Sequence, residues 1–197
     1  MKLDSKDNRH MLQAAILGLG WWGRHITQAL RESGRVRVVR AFDPAAEANT
    51  FADEHYLSLA PSFDAILADE AIDAVIVATP HALHEKQALA ALAAGKAVFC
   101  EKPFAMTAAA ARRILAAAEA KGLVLGVGHE RRFEPAMEEA LAILRSGRQG
   151  KLLHMEANVS HDGFSKMAAG NWRHDPSNAP GARSTAPRSP SPPPGER

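Results

Sequence analysis

A doubly wound parallel α/β domain, followed by the incomplete start of an α+β domain, is the fold this sequence predicts. Three observations carry the prediction. Between Met11 and about Gly128, apolar runs of strand length alternate with alanine-rich helical stretches, the order that builds parallel strands joined by crossover helices. The runs are apolar almost throughout, which fits strands covered on both faces. Beyond residue 129 the apolar residues switch to a period of two, the mark of a sheet with one face in water. The chain therefore divides into the doubly wound domain, 11–128, the start of a second domain, 129–181, and a tail, 182–197.

The strands are read from Ala14 to Leu17, Val36 to Phe42, a short run near Tyr56, Ala74 to Ala78, Ala97 to Cys100 and Leu123 to Val127. Between them Ile26, Ala29 and Leu30 share one helical face closed by Gly34, and Ala88, Leu89 and Leu92 share another closed by Gly95. A third helix starts at Thr107, whose hydroxyl can cap it, runs through Ala111, Ile114, Leu115 and Ala118, and stops at Gly122. In the second domain Pro135 suits the first turn of a helix with Met137, Ala140, Leu141 and Leu144 facing inward and Gly147 as terminator. Leu153, Met155, Ala157 and Val159 then alternate with polar residues, predicting a half-buried strand over Leu152 to Ser160. Half of the twelve prolines fall between Pro180 and Pro194, so the tail is expected to be extended and disordered.

Composition narrows the function classes. At 197 residues, 46% hydrophobic and 23% charged, the chain can bury a core. No apolar run approaches the ~18 residues of a membrane span, and the polar opening MKLDSKDNRH does not resemble a signal peptide. The cytoplasm is the expected location, and no membrane partner is expected. A single cysteine, Cys100, excludes an internal disulfide and a multi-cysteine zinc site. The net charge of +2 resides in the tail, where Arg183, Arg188 and Arg197 face only Glu196. The body carries no net basic footprint, so no nucleic-acid partner is expected.

The motif with the most chemistry is Gly18-Leu19-Gly20-Trp21-Trp22-Gly23, a G-x-G-x-x-G run after the first strand and at the opening of the first helix. Such a turn needs one glycine for tightness, one for close approach of backbone to a pyrophosphate and one for packing helix on strand. Twenty residues after Gly23, at the end of the second strand, stands Asp43, where a carboxylate can accept from an adenosine ribose. Dinucleotide binding follows. An acid at that position repels a 2′-phosphate and favours NAD, with NADP the alternative because Arg24 and Arg40 are close in sequence.

Two further clusters follow strand ends. Thr79-Pro80-His81-Ala82-Leu83-His84 comes after the fourth strand; its two histidines lack a recognisable carboxylate or cysteine to complete a metal site, so no metal is expected. Cys100-Glu101-Lys102-Pro103 comes after the fifth, where a lysine can face the cofactor cleft and orient a substrate hydroxyl. A salt-bridged surface pair explains the same Glu-Lys spacing equally well.

Together, GLGWWG, Asp43, Val75 to Pro80 with His84, and Ala94-Gly95-Lys96 leading to Glu101-Lys102-Pro103 strongly resemble the Gfo/Idh/MocA oxidoreductases. Gly128-His129 with Arg132-Phe133, Ser146-Gly147 and Asn171-Trp172-Arg173 resemble that family's linker and early second domain. The resemblance implies a Rossmann domain and reversible hydride transfer between nicotinamide and a hydroxyl-bearing carbon of a sugar or polyol. It places Lys102 beside nicotinamide and substrate as the catalytic residue, with a cis bond to Pro103. Thr79, Pro80 and His84 then border the nicotinamide ribose, Glu101 belongs to the cofactor site, and Trp172 and Arg173 belong to the substrate side. Family members usually form homo-oligomers through the second domain.

The sequence also departs from the family. After Asn-Trp-Arg the family continues with a Gly-Gly turn and a helix bearing an aspartate and a histidine, the latter often the general base. Here Ala179-Pro180-Gly181 runs directly into ARSTAPRSPSPPPGER, and His174 and Asp175 precede that point. The expectation is a C-terminally truncated dehydrogenase with impaired activity; a non-catalytic NAD-binding remnant or sensor module is the rival. A short-chain dehydrogenase is disfavoured, because the only tyrosine, Tyr56, has Ala60 rather than lysine four residues on.

Overall fold

Six strands run in the order their apolar segments predict. They are β1 (Leu12–Leu17), β2 (Val36–Phe42), β3 (Ser58–Leu59), β4 (Ala74–Val77), β5 (Ala97–Glu101) and β6 (Leu125–Gly128). The structure, a computed structural model, describes residues 11–156, 158, 170–175 and 177–179. All strand pairs are parallel, and the sheet order is β3-β2-β1-β4-β5-β6. The helices are α1 (Trp21–Arg31), α2 (Glu47–Glu54), α3 (Phe63–Ala68), α4 (His84–Ala93), α5 (Ala108–Lys121) and α6 (Pro135–Arg145).

Two cores explain why the central strands are apolar at consecutive positions. Side chains alternate across a strand. Ala15, Leu17, Val75 and Val77 enter a core with Ala88, Leu92, Cys100 and Ile114, while Ala14, Ile16 and Ile76 enter another with Ala41, Ala48 and Phe51. The sheet is thus covered on both faces at β1 and β4. Alanine at Ile114, which is wholly buried in the first core, would cost ~2–5 kcal/mol.

Helix ends follow their local signals. The Thr107 hydroxyl accepts from the Ala110 N–H at 3.1 Å, and Gly122 closes α5 in the left-handed conformation at φ 63°. The buried stripe of α5 is Ala110, Ile114 and Ala118, so Leu115, expected on the inner face, lies at its margin and is exposed. Two helices that periodicity did not reveal, α2 and α3, fill the β2–β3 and β3–β4 connections. Ser62 caps α3 by accepting from the Ala65 N–H at 3.1 Å. Buried Lys96 ties the start of β5 to the connection after α3, its ammonium donating to the Asp69 and Ile72 carbonyls at 2.7 and 2.9 Å.

Cys100 is buried on β5, and burial first, then the neighbouring Glu101 charge, pushes its thiol up to about 12. Because folding holds the thiol protonated, its contribution to stability is full below the ordinary thiol range and is lost as pH rises toward about 12. Native protein should therefore resist a thiol-specific reagent at about pH 8, with one equivalent reacting after denaturation. Rapid native labelling would contradict this placement.

The chain divides by contacts into Met1–His129 and Glu130–Arg197. In the second unit Pro135 occupies the first turn of α6 as expected, but Met137 and Leu144 are 47% and 43% exposed and Ala140 is exposed too. An apolar helix face needs another element to bury it, and the described part of this unit offers, besides α6, the short 3₁₀ turns Glu130–Phe133 and Trp172–His174. The predicted strand over Leu152 to Ser160 is likewise not formed at 151–156, where Leu153 and Met155 stand exposed. Alternation supplies a face, but a strand forms only with a ladder partner. Ala157, Val159 and the tail 182–197 lie outside the described residues.

Candidate cofactor site

The site residues predicted in the first unit all follow strands at the carboxyl edge of the sheet. Gly18 comes directly after β1 and Asp43 directly after β2. Thr79 and Pro80 follow β4, and Glu101 and Lys102 mark the end of β5. In this strand order the chain turns to opposite sides at β1 and β4, and the crevice between their ends is where such sheets bind ligands.

The three motif glycines have different physical reasons. Gly18 has φ 92°, and a Cβ there would stand 2.7 Å from the Ala78 carbonyl oxygen, so the turn lies against the end of β4. A Cβ on Gly23 would run into the Gly18 carbonyl, so α1 sits directly on the turn. Gly20 is extended (φ −64°, ψ −178°), and a Cβ there would meet nothing within 4 Å. Neither packing nor backbone conformation demands glycine at position 20. What it leaves is open space at the cap of an eleven-residue helix with no side-chain cap and no acidic residue in its first turn. Free helix-terminal N–H groups beside that space suit an anion. The residues present therefore fit the pyrophosphate of a dinucleotide.

Trp21 is exposed and Trp22 half-buried, both stacking near His25 with ring centres 6.2 and 5.1 Å away. The Trp22 indole Nε1 is buried without an acceptor among the described residues, a donor left over in the glycine turn. Asp43 is half-buried and serves the backbone: Oδ2 accepts from the Leu19 N–H at 2.6 Å and Oδ1 from the Ala45 N–H at 2.8 Å. Carboxylate oxygens each hold a second lone pair, so this arrangement leaves acceptor capacity for a ribose. Of the two arginines that left NADP open, Arg40 pairs with Asp69 at 3.0 Å and Arg24 donates to the carbonyls of Leu19 and Glu47.

On the β4 and β5 side, the Thr79 hydroxyl donates to the Gln87 amide oxygen at 2.5 Å. Pro80 begins the 3₁₀ turn His81–Leu83. His84, expected to border the nicotinamide ribose, is wholly buried, and its ring nitrogens lie 2.9 Å from the carbonyls of Thr79 and Pro103. At the start of α4 the ring bridges the turns at Thr79 and Pro103. Glu101 is buried as well, accepting from the Lys102 N–H at 3.2 Å, and its carboxylate fills the space that a side chain at Gly128 would need. Lys102 is exposed, and its bond to Pro103 is cis.

In the second unit Trp172 and Arg173 share a 3₁₀ turn, Trp172–His174, capped by the Asn171 side chain accepting from the Arg173 N–H at 3.0 Å. The Arg173 guanidinium lies 4.3 Å from the Trp172 ring centre, and burial pushes its pKa down. Asp175 accepts from the Ser177 hydroxyl and N–H and from Asn178, bonds that hold its carboxyl below the usual range. Among the described residues no three His, Cys, Asp or Glu side chains group as metal ligands, and no helix is long and apolar enough to cross a membrane.

Residues 12–129, more than half of the chain, match the oxidoreductase family described as Gfo/Idh/MocA with an NAD-binding Rossmann fold. The chain belongs to that family. Similar curated proteins include an inositol 2-dehydrogenase from Acidothermus cellulolyticus, 37% identical over 71% of this chain and 42% of its own. A 1,5-anhydro-D-fructose reductase from Ensifer adhaerens is 35% identical over 83% of this chain and 47% of its own. Among solved structures, GenD2 from gentamicin A biosynthesis in complex with NAD is 30% identical with a TM-score of 0.67, covering 70% of this chain and 41% of that one. The chain thus spans about half the length of the curated relatives it matches, or less. With membership of the Gfo/Idh/MocA family, residues 12–129 are an NAD-binding Rossmann fold. Gln87, which accepts from Thr79, is the neighbour of these residues that sequence reasoning missed, and Arg24, weighed there only for the choice between NAD and NADP, is tied to the glycine turn.

Proposed function

We propose that the protein takes part in hydride transfer between NAD and a hydroxyl-bearing carbon of a sugar or polyol, with Lys102 as the catalytic residue. The single observation that carries this is the exposed Lys102 at the carboxyl end of β5, two strands from the glycine turn in a family of NAD-dependent oxidoreductases. The names of the relatives, inositol 2-dehydrogenase and 1,5-anhydro-D-fructose reductase, support a polyhydroxylated substrate. Bound nicotinamide supplies a hydride acceptor. The chain's own part is then to hold the dinucleotide at Gly18 to Gly23 and Asp43 and to orient the substrate hydroxyl with the Lys102 ammonium. As the carbon gives up hydride to the nicotinamide, its hydroxyl proton would pass to water, and the Lys102 ammonium would stabilise the negative charge developing on that oxygen. Thr79, Pro80, His84 and Glu101 border the nicotinamide side, and Trp172 and Arg173 serve the substrate. NADP is the alternative coenzyme.

The test combines calorimetric titration of NAD with the appearance of NADH over a panel of inositols and anhydro sugars. Lys102→Met is expected to lower turnover ~100-fold or more while NAD affinity stays within about threefold, because a positioned cation at a developing oxyanion contributes that much. Wild-type protein that saturates with NAD but makes no NADH from any polyol is a nucleotide-binding module, and the hydride-transfer reading fails.

A further inference from the structure

Arg24 stands in the first turn of α1, immediately past the glycine motif. Its guanidinium is committed to three partners within the chain. Nε donates to the Leu19 carbonyl at 2.7 Å, a terminal nitrogen donates to the Glu47 carbonyl at 3.0 Å, and Cζ lies 5.2 Å from the centre of the Phe51 ring. Phe51 is buried in the core shared with Leu19 and Ala48, so the guanidinium is anchored on something rigid. Leu19 is gripped on its other side as well, its N–H donating to Asp43 at 2.6 Å and its side chain buried.

A trans peptide group is a flat plate whose C=O and N–H point in opposite directions. Holding the Leu19 carbonyl on Arg24 therefore fixes the direction of the Gly20 N–H. Gly20 is the cap of α1, and the space beside it is open. Among the described residues no protein acceptor meets the Gly20 N–H. One guanidinium thus links the aim of that amide to the core beneath α2.

We propose that Arg24 is a positioning residue for the dinucleotide: it locks the Leu19–Gly20 peptide so that the cap amide of α1 meets the pyrophosphate, and it does not read the coenzyme's 2′-position. The proposal rests on the NAD-binding reading of the glycine turn. A turn already fixed loses less freedom when the anion arrives. Lysine does not replace arginine here, because a single ammonium lacks both the fork that spans two carbonyls and the planar face that lies over Phe51.

Competition against NADH fluorescence tests this with adenosine, ADP, NAD⁺ and NADP⁺ on the wild type, Arg24→Met and Arg24→Lys. Arg24→Met is expected to weaken ADP and both coenzymes by about tenfold while adenosine, which lacks the phosphates, stays within about twofold. Arg24→Lys should fall in the same direction and carries the comparison if Arg24→Met does not fold. Unchanged ADP affinity overturns the proposal. So does an equal loss for adenosine, which marks general loosening, or a loss confined to NADP⁺, which marks a 2′-phosphate contact. Wild-type protein that binds no NAD⁺ overturns the underlying reading and the proposal with it, whereas normal wild-type binding with a flat Arg24 series overturns the proposal alone.

Discussion

Gly20→Ala is expected to leave the protein folded but to weaken NAD at least about tenfold, whereas Gly23→Ala should damage both fold and binding. The contrast follows from what a methyl group meets at each position. At Gly23 it runs into the Gly18 backbone carbonyl, which cannot swing aside as a side chain can, so α1 must lift off the turn. Overpacking of this kind costs ~1–3 kcal/mol, and each kcal/mol lowers the melting temperature by ~3–6 °C in a domain of this size. At Gly20 the backbone is extended and the space empty, so the cost to folding is the poorer capping of alanine, ~0.5 kcal/mol. The methyl instead occupies room that the pyrophosphate needs. Melting curves and NAD titrations of both variants decide the matter. If Gly20→Ala binds NAD like the wild type, the open space is not the coenzyme's cradle.

The central strands were legible because burial on both faces writes apolar runs at Ala14 to Leu17 and Ala74 to Val77, and Val36 to Phe42, though interrupted by Arg37 and Arg40, is a strand from end to end. Shorter elements left less trace. The α2 helix has eight residues and α3 has six, too short for periodicity to stand out, although Ala48, Phe51 and Ala52 carry helical spacing and Ser62 is a sound cap. The alternation after Leu152 misled for a different reason. A period of two gives a segment one apolar face, whereas pairing into a ladder is a property of its neighbours and not of the segment itself.

The candidate site shows the same division. Glycines and Asp43 are recognisable from spacing, since turn geometry and the end of the second strand fix where they must lie. Which groups those side chains meet is decided by the assembled turns. Asp43 reads from sequence as a ribose acceptor, yet each of its oxygens holds a backbone N–H. His84 follows the Thr-Pro turn in sequence, yet the first turn of α4 buries its ring between two carbonyls. Arg24 was visible only as a charge beside the motif; its grip on Leu19 depends on the way α2 folds back to offer the Glu47 carbonyl and the Phe51 ring.

Asp43→Ala is expected to weaken NAD about 10- to 100-fold and to weaken NADP less, with a measurable loss of stability. Two separate jobs end with the carboxylate. The Leu19 and Ala45 N–H groups lose a charged acceptor, and hydrogen bonds to charged groups contribute ~1.5–3 kcal/mol each before water replaces part of that. Loss of the Leu19 bond loosens the glycine turn and so affects both coenzymes alike. Loss of the ribose acceptor affects NAD, while loss of the negative charge relieves repulsion of a 2′-phosphate, so the NAD-to-NADP affinity ratio falls. Asp43→Asn separates the contributions: its one carbonyl oxygen can keep one backbone bond, its neutral amide removes the repulsion, and it should recover stability without recovering the ratio. Calorimetric titration of both coenzymes with the two variants, together with their melting temperatures, is the measurement. An unchanged ratio in both would leave Asp43 as a brace of the turn with no part in reading the ribose.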